Sequence, residues 1–164
     1  MRKLLISLCF SACCSFLAAQ TTNPIQEAMA NYDYETALML IDQETPTIPL
    51  LYQKGKALKG LGNNLEALSV FQEVVVQDSL NPRAYIEAAE CCKSLAKYSE
   101  ALDYYQNALH INPDNKYVRI QYISLLMNMK RYRESLKESN LLAERDSSAY
   151  VLHLRAESMG QVYD

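Results

Sequence analysis

The sequence predicts an all-α chain built as a stack of helical hairpins, and three observations predict it. Leu68, Leu102 and Leu136 stand 34 residues apart, each behind a small residue, Ala67, Ala101 and Ser135, and Ala37-Leu38 is an earlier, offset copy. Apolar residues recur at three and four along almost the whole chain from Asn23 onward, and no segment alternates as a strand does. Short polar turns split these stripes into pairs. A period of 34 marks one supersecondary unit, which cannot bury its apolar face alone and therefore leans on its neighbours. Function in such a stack belongs on its outer surfaces rather than in an enclosed pocket.

In chain order, residues 1–19 read as an export signal: Arg2 and Lys3, then a mostly apolar run from Leu4 to Leu17, then Ala18 and Ala19 before Gln20. Cleavage is expected after Ala19. The apolar run is shorter than the roughly 20 residues that span a bilayer as a helix, and no later stretch approaches that length, so no transmembrane segment is expected. A competing reading is a lipoprotein signal ending at residue 12, because Phe10-Ser11-Ala12-Cys13 places two small residues before a cysteine that would carry the lipid. Phe10 stands where leucine is usual, which favours ordinary secretion.

Four hairpins follow, over 23–45, 48–80, 82–112 and 114–146, with a terminal helix over 148–161. The first starts at Asn23-Pro24, with Gln26 placed to complete a capping box, and turns at Tyr32-Asp33-Tyr34. Pro46 and Pro49 end it and begin the second, whose stripes are Leu51, Gly55, Leu58 and then Ala67, Leu68, Phe71, Val74 around a turn at Gly62-Asn63-Asn64. The third opens on Asn81-Pro82, an N-cap followed by a proline whose missing N–H costs nothing there. Its stripes are Tyr85, Ala89, Cys92 and Ala101, Leu102, Tyr105, Ala108, Leu109, broken at Ala96-Lys97-Tyr98. In the fourth, Ile123 and Leu126 precede Lys130-Arg131-Tyr132 and then Ser135, Leu136 and Leu142. The terminal helix presents Leu152, Ala156 and Met159; it either covers the apolar flank of the fourth hairpin or belongs to a unit whose second helix is missing.

Composition excludes several classes of function. Without residues 1–19 the chain has 14 basic and 19 acidic side chains, a formal charge of −5, and no Lys/Arg cluster, so nucleic acid is not an expected partner. Cys9, Cys13 and Cys14 lie in the signal. Cys91 and Cys92 are helix neighbours pointing about 100° apart, which makes them core hydrophobes rather than a disulfide, and no second cysteine or histidine stands at metal-ligand spacing.

These columns resemble the tetratricopeptide repeat. Its first helix wants a large apolar residue, a small one four later and an apolar one three after that, as in Leu51, Gly55, Leu58 and Tyr85, Ala89, Cys92. Its second helix wants the series supplied by Tyr98, Glu100, Ala101, Tyr105, Ala108 and Pro113. The fourth hairpin departs from the pattern, with Arg119 for the large apolar residue, Ile123 for the small one, Ser135 for the alanine and Ser139 for the aromatic; looser packing is expected there. The resemblance covers residues 20–164 and implies an α-solenoid wound as a right-handed superhelix.

It also implies that the first helices line a concave groove that binds a peptide or protein segment. The residues placed there are Tyr52, Gln53, Lys56 and Lys59, then Arg83, Ile86, Glu87, Glu90 and Lys93, then Tyr117, Ile120, Gln121, Ser124 and Met127, and finally His153 and Glu157. Tyr52, Ile86, Tyr117 and Ile120 are the expected anchors. The Lys, Asn and Arg clamp that some relatives use to grip a C-terminal carboxylate is missing, since its positions hold Tyr52, Lys56, Glu87, Tyr117 and Gln121.

No catalytic constellation, cofactor loop or metal site is legible. His110 and His153 have no nucleophile placed beside them, and Gly60-Leu61-Gly62 is not a phosphate loop. The expected function is an extracytoplasmic protein-protein interaction scaffold, periplasmic or secreted. The alternative is a structural subunit of a bacterial envelope assembly or secretion complex, held at the outer membrane by a lipid on Cys13.

Overall fold

The computed structural model describes residues 23–163, and among them every regular element is an α-helix. The expected export signal, its cleavage point and Cys13 lie outside the described residues. The helices are α1 Pro24–Ala30, α2 Tyr34–Ile41, α3 Ile48–Gly60, α4 Asn64–Gln77, α5 Pro82–Ser94, α6 Tyr98–Ile111, α7 Lys116–Asn128, α8 Tyr132–Ala143 and α9 Ala149–Tyr163. α1 and α2 belong to one compact unit, which ends at Thr45, and α3 to α9 to a second, which begins at Pro46.

In the first unit Ile25, Ala28, Ala37 and Ile41 are buried. Asn23 Oδ1 accepts from Ile25 N–H at 3.0 Å, not from the amide of Gln26 that a capping box engages, and Gln26 is exposed. The start of α1 is thus set by a tighter asparagine turn. In the second unit successive helices pack in series, α3 on α4, α4 on α5 and so on to α8 on α9, and α3 also touches α5. Asn81 and Asn115 cap α5 and α7, their side chains accepting from Ala84 N–H at 3.3 Å and Val118 N–H at 3.2 Å.

Each turn inside a hairpin has one backbone solution. In α5–α6 the Lys97 N–H reaches Cys92 O at 2.8 Å and the Ala96 N–H reaches Lys93 O at 3.0 Å, the two bonds of a Schellman end. Asn63 and Gly62 repeat them onto Leu58 and Lys59, and Arg131 and Lys130 onto Leu126 and Met127. The geometry forces a left-handed residue, with φ of 81° at Gly62, 57° at Ala96, 59° at Lys130 and, in the first unit, 60° at Tyr32. Glycine stands at one of these four positions.

Close approach inside the hairpins is visible at Gly55, where an added Cβ would lie 2.7 Å from two ring carbons of the fully buried Phe71. The same columns hold Ala89 with Tyr105 in α5–α6, and both are fully buried. In α7–α8 they hold Ile123 with Ser139, again both fully buried. At this pair large and small have exchanged helices, which conserves volume locally, while α7 and α8 meet less extensively than the helices of the two preceding hairpins. The hairpin's other buried serine, Ser135, meets Ser158 of α9 hydroxyl to hydroxyl at 2.8 Å.

Cys91 and Cys92 are free and fully buried, and burial pushes both thiols up to about 11, so they are core residues without thiolate character at neutral pH. One expectation for α9 is overturned. Val151, Leu154 and Ser158 are buried, whereas Leu152, Ala156 and Met159 are exposed. The helix turns toward the Ile123 and Leu142 cluster of the hairpin before it and leaves its repeat columns open.

Candidate functional site

The first helices bring seven of the expected groove residues into one polar network, centred on two carboxylates three residues apart on α5. Glu87 reaches back to α3: its Oε1 accepts from the Tyr52 hydroxyl at 3.2 Å, and its Oε2 pairs with Lys59. Glu90 reaches forward. Its Oε1 accepts from the Tyr105 hydroxyl and, at 3.4 Å, from the Tyr117 hydroxyl of α7, while Oε2 lies 3.3 Å from Lys93 Nζ. Lys93 donates to Gln121 Oε1 of α7 at 3.0 Å and sits 5.8 Å from the centre of the Tyr105 ring. Two acids, two lysines, three phenols and an amide thus join α3, α5, α6 and α7.

Local sequence explains the placement. Glu87, Glu90 and Lys93 occupy one α5 face at i, i+3 and i+6, opposite the buried stripe of Ala84, Ala88, Cys91 and Cys92. Partial burial shapes the chemistry. It pushes Tyr52 up to about 12, with the Glu87 charge and hydrogen bond adding to it, and it raises Tyr105 and Tyr117, with Glu90 as the next cause in each. For Lys59, burial alone would depress the amine, but the hydrogen bond and charge of Glu87 prevail and leave it raised. At neutral pH Tyr52, Tyr105 and Tyr117 are therefore proton donors and Lys59 is a cation.

The remaining groove residues are dispersed. Lys56 and Arg83 are exposed, and Ile86 and Ser124 are half-buried. Gln53 is half-buried and its amide oxygen is enclosed without a donor among the described residues. Ile120 and Met127, expected to face a ligand, instead pack against the cluster of Ile123, Leu142, Val151 and Leu154, because α9 lies over that side of α7. His153 and Glu157 are exposed on α9, away from the carboxylate pair. Tyr117 keeps 55% of its surface exposed despite its hydrogen bond, which leaves its ring free to receive an apolar group.

Sequence reasoning missed Tyr105 as a site residue. It fills a core column, yet its hydroxyl emerges on the first-helix face; a phenol where the preceding hairpin has Phe71 was the available signal. A second polar cluster, around a 580 Å³ cavity at the α7–α8 end, is closed electrostatically. There Lys116 pairs with Asp146, Arg119 with Glu138 and Arg145 with Asp114. Arg119, read as a gap in an apolar column, also donates to Pro113 O at 2.7 Å and bridges the hairpin. No group of histidine, cysteine and carboxylate side chains among the described residues could hold a metal ion.

The architecture is a helical-repeat fold like that of the tetratricopeptide repeat. Residues 94–157 match the family model of the tetratricopeptide repeat. Among solved structures, the chain is similar to one described as "MamA AMB-1 P212121", with a TM-score of 0.73 and 19% identity over 85% of this chain and 78% of that one. It is also similar to "Crystal structure of MamA protein", with a TM-score of 0.70 and 14% identity over 85% and 84% of the two chains. A third likeness is to a chain in "Structure of Naa15/Naa10 bound to HypK-THB", with a TM-score of 0.69 and 17% identity over 84% of this chain and 21% of that one. At such identities the likeness is one of fold. No curated protein matches the chain by sequence.

Proposed function

We propose that this chain is a tetratricopeptide-repeat scaffold that binds a protein segment across the face formed by α3, α5 and α7. The carrying observation is the Glu87 and Glu90 network, which fixes seven of the expected groove residues relative to one another before any ligand arrives. Ordering side chains in advance lowers the entropy that binding must otherwise overcome. Both carboxylates are occupied by donors of the chain itself, so the groups open to a partner are the Tyr117 ring, Ile86, and the cations Lys56 and Arg83. The Naa15/Naa10 structure, one of the fold neighbours, was solved bound to HypK-THB, a precedent for this architecture within a protein complex.

Affinity capture from the native host, with the chain as bait and an Ile86→Ala, Tyr117→Ala, Arg83→Ala variant beside it, tests the reading. The variant should lose the specific partner while keeping its helical circular dichroism. Identical captured sets would mean that recognition happens elsewhere.

The site of action we infer to be outside the cytoplasm, from Arg2, Lys3 and the apolar run that follows. No described helix is long and apolar enough to cross a membrane. Intact mass of the processed protein should begin at Gln20. Acyl mass on Cys13, with recovery in membranes that resists high salt, would instead support the lipid-anchored subunit of an envelope assembly, the reading favoured by Phe10-Ser11-Ala12-Cys13.

A further inference from the structure

Charge is sorted between the two kinds of helix in the second unit. The first helices α3, α5 and α7 carry seven lysines and arginines against only two acids, Glu87 and Glu90, and α3 and α7 have no acid at all. The second helices α4, α6 and α8 reverse the balance, with six acids and two bases. A chain with 14 basic and 19 acidic side chains over residues 20–164 thus gathers its positive charge on the first helices. Their common face lies within the unit: α5 and α7 each have a second helix packed on both flanks, so a further repeat helix would stack elsewhere.

Four of the seven cations stand beside the carboxylate network. Lys59 and Lys93 are engaged within it, by Glu87 and by Glu90 with Gln121. Lys56, one turn from both Tyr52 and Lys59, and Arg83, one turn before Ile86 and Glu87, are exposed and have no ion pair among the described residues. The face is close-knit enough for its charges to act across it. Arg83 of α5 opposes the rise of the Tyr52 phenol on α3, and Lys59 of α3 opposes that of Tyr117 on α7. With Glu87 and Glu90 occupied by Lys59 and Lys93, two positive charges are left facing solvent.

The chemistry of the occupant follows from what these groups can hold. Residues 1–22 contain no Asp or Glu, so the segment before α1 has no carboxylate to offer. A nucleic-acid backbone demands a run of free cations, whereas this face has two and sets two carboxylates between them. Arg83 and Tyr117 hold the same repeat position, 34 residues apart, on successive first helices. Packed helices lie about 10 Å apart, a distance that about three residues of an extended polyproline-type chain cover, with positions i and i+3 on one side. A guanidinium grips a carboxylate through two parallel hydrogen bonds, and an exposed tyrosine ring receives an apolar side chain.

Building on the reading of this face as a binding surface, we propose that its occupant is an extended acidic segment of a partner protein. One carboxylate sits on Arg83, a large apolar side chain three positions away lies on the Tyr117 ring, and a second carboxylate on the other side of the first reaches Lys56. A display library of short random peptides, selected on the full chain, tests the class and the site together. Enriched sequences should carry Asp or Glu three positions from a large apolar residue. By fluorescence anisotropy, an enriched peptide should bind the Lys56→Gln, Arg83→Gln chain about tenfold or more weakly and should weaken as salt is raised. Selection on a Lys56→Glu, Arg83→Glu chain should enrich Lys or Arg instead; both sites are exposed, so circular dichroism should be unchanged. Peptides that lack acids yet lose binding with Tyr117→Ala overturn the acidic partner and leave the face as a binding surface. Peptides indifferent to Tyr117→Ala and to both cations, or no enrichment at all, overturn the face as well. A double-stranded oligonucleotide that competes for the face, or light scattering showing a dimer that the two Glu substitutions dissolve, assigns it to nucleic acid or to a second copy and overturns the proposal.

Discussion

Two glycines in helices of one chain should respond to the same substitution with opposite signs. At Gly55 of α3, an alanine Cβ would fall 2.7 Å from Cε1 and Cζ of Phe71 and 3.1 Å from Cδ1. Carbon atoms rest at about 3.5–4.0 Å, so the ring must retreat by most of an ångström. Phe71 has no solvent on any side, and the Tyr52 ring lies edge-on at 5.8 Å, so retreat disturbs a packed layer. Overpacking of this kind costs about 1–3 kcal/mol, against which the better helix propensity of alanine returns about 1 kcal/mol. Gly55→Ala should therefore lose up to about 2 kcal/mol. At Gly160 nothing stands within 4 Å of the added carbon, and the propensity gain acts alone, reduced by fraying near the helix end.

Urea and thermal unfolding followed by far-ultraviolet circular dichroism measure both. For a chain of this size 1 kcal/mol shifts Tm by about 2–4 °C, so Gly55→Ala should melt up to several degrees lower and Gly160→Ala about a degree or two higher. Gly55→Ala combined with Phe71→Leu should recover part of the loss, because the smaller side chain yields where the ring cannot. If both glycine variants move in the same direction, the close-approach account of the Gly55, Ala89 and Ile123 column is wrong.

The size exchange in the fourth hairpin predicts a mutant cycle: Ile123→Ala alone should cost about 2–5 kcal/mol and Ser139→Tyr alone about 1–3, while the double variant should lose less than their sum, as read by urea midpoints. Tyr105→Phe keeps the ring and removes its bond to Glu90, and should cost about 1.5–3 kcal/mol, more than Tyr117→Phe, whose hydroxyl is 3.4 Å from the same oxygen. Ala96→Gly relieves a left-handed residue at φ 57° and should stabilise by about 0.5–1 kcal/mol, whereas Gly62→Ala at φ 81° should lose a similar amount in thermal melts. Raising the pH should weaken the fold. Tyr52, Tyr105 and Tyr117 hold protons that the unfolded chain releases near pH 10, so stability falls as pH climbs from 10 toward 12. Lys59, also raised, adds a loss above its ordinary 10.5. Tyr52→Phe should flatten the difference in unfolding free energy between pH 8 and pH 11 by about 1 kcal/mol or less, once solvent screening of the half-exposed phenol is allowed for.

The helices were legible because periodicity and asparagine caps are local properties: Asn81 and Asn115 act within three residues of themselves. The hairpin turns were legible as breaks, but their left-handed residue was not, since Ala96, Lys130 and Tyr32 are poor markers of positive φ. Long-range compensation escaped a column-by-column reading. Ile123 and Ser139 each violate the repeat, and only their shared burial shows that one violation answers the other. The fate of α9 escaped for a related reason: periodicity reveals an apolar stripe without revealing whether another helix lies on it. Of the candidate site, the Glu87, Glu90, Lys93, Tyr117 face followed from the resemblance to the tetratricopeptide repeat, which singled out the first helices, while Ile120 and Met127 were drawn away by α9, an effect of the next element rather than of their own.

On the proposed reading, the two α5 carboxylates connect binding to the stacking of the repeats. Glu87 holds the preceding first helix through Tyr52 and Lys59, and Glu90 holds the following one through Tyr117 and, by way of Lys93, Gln121. The spacing between first helices is thus set by the same side chains a ligand would meet. A partner that competes for Lys59 or Lys93 with its own carboxylate must loosen one junction of the stack to do so, losing a charge-assisted bond for each one it gains. A partner that instead engages the exposed Tyr117 ring, Ile86 and the free cations Lys56 and Arg83 leaves both junctions intact and adds to them. For the proposed face the second mode is therefore the stronger one, and in it ligand binding and resistance to unfolding would rise together.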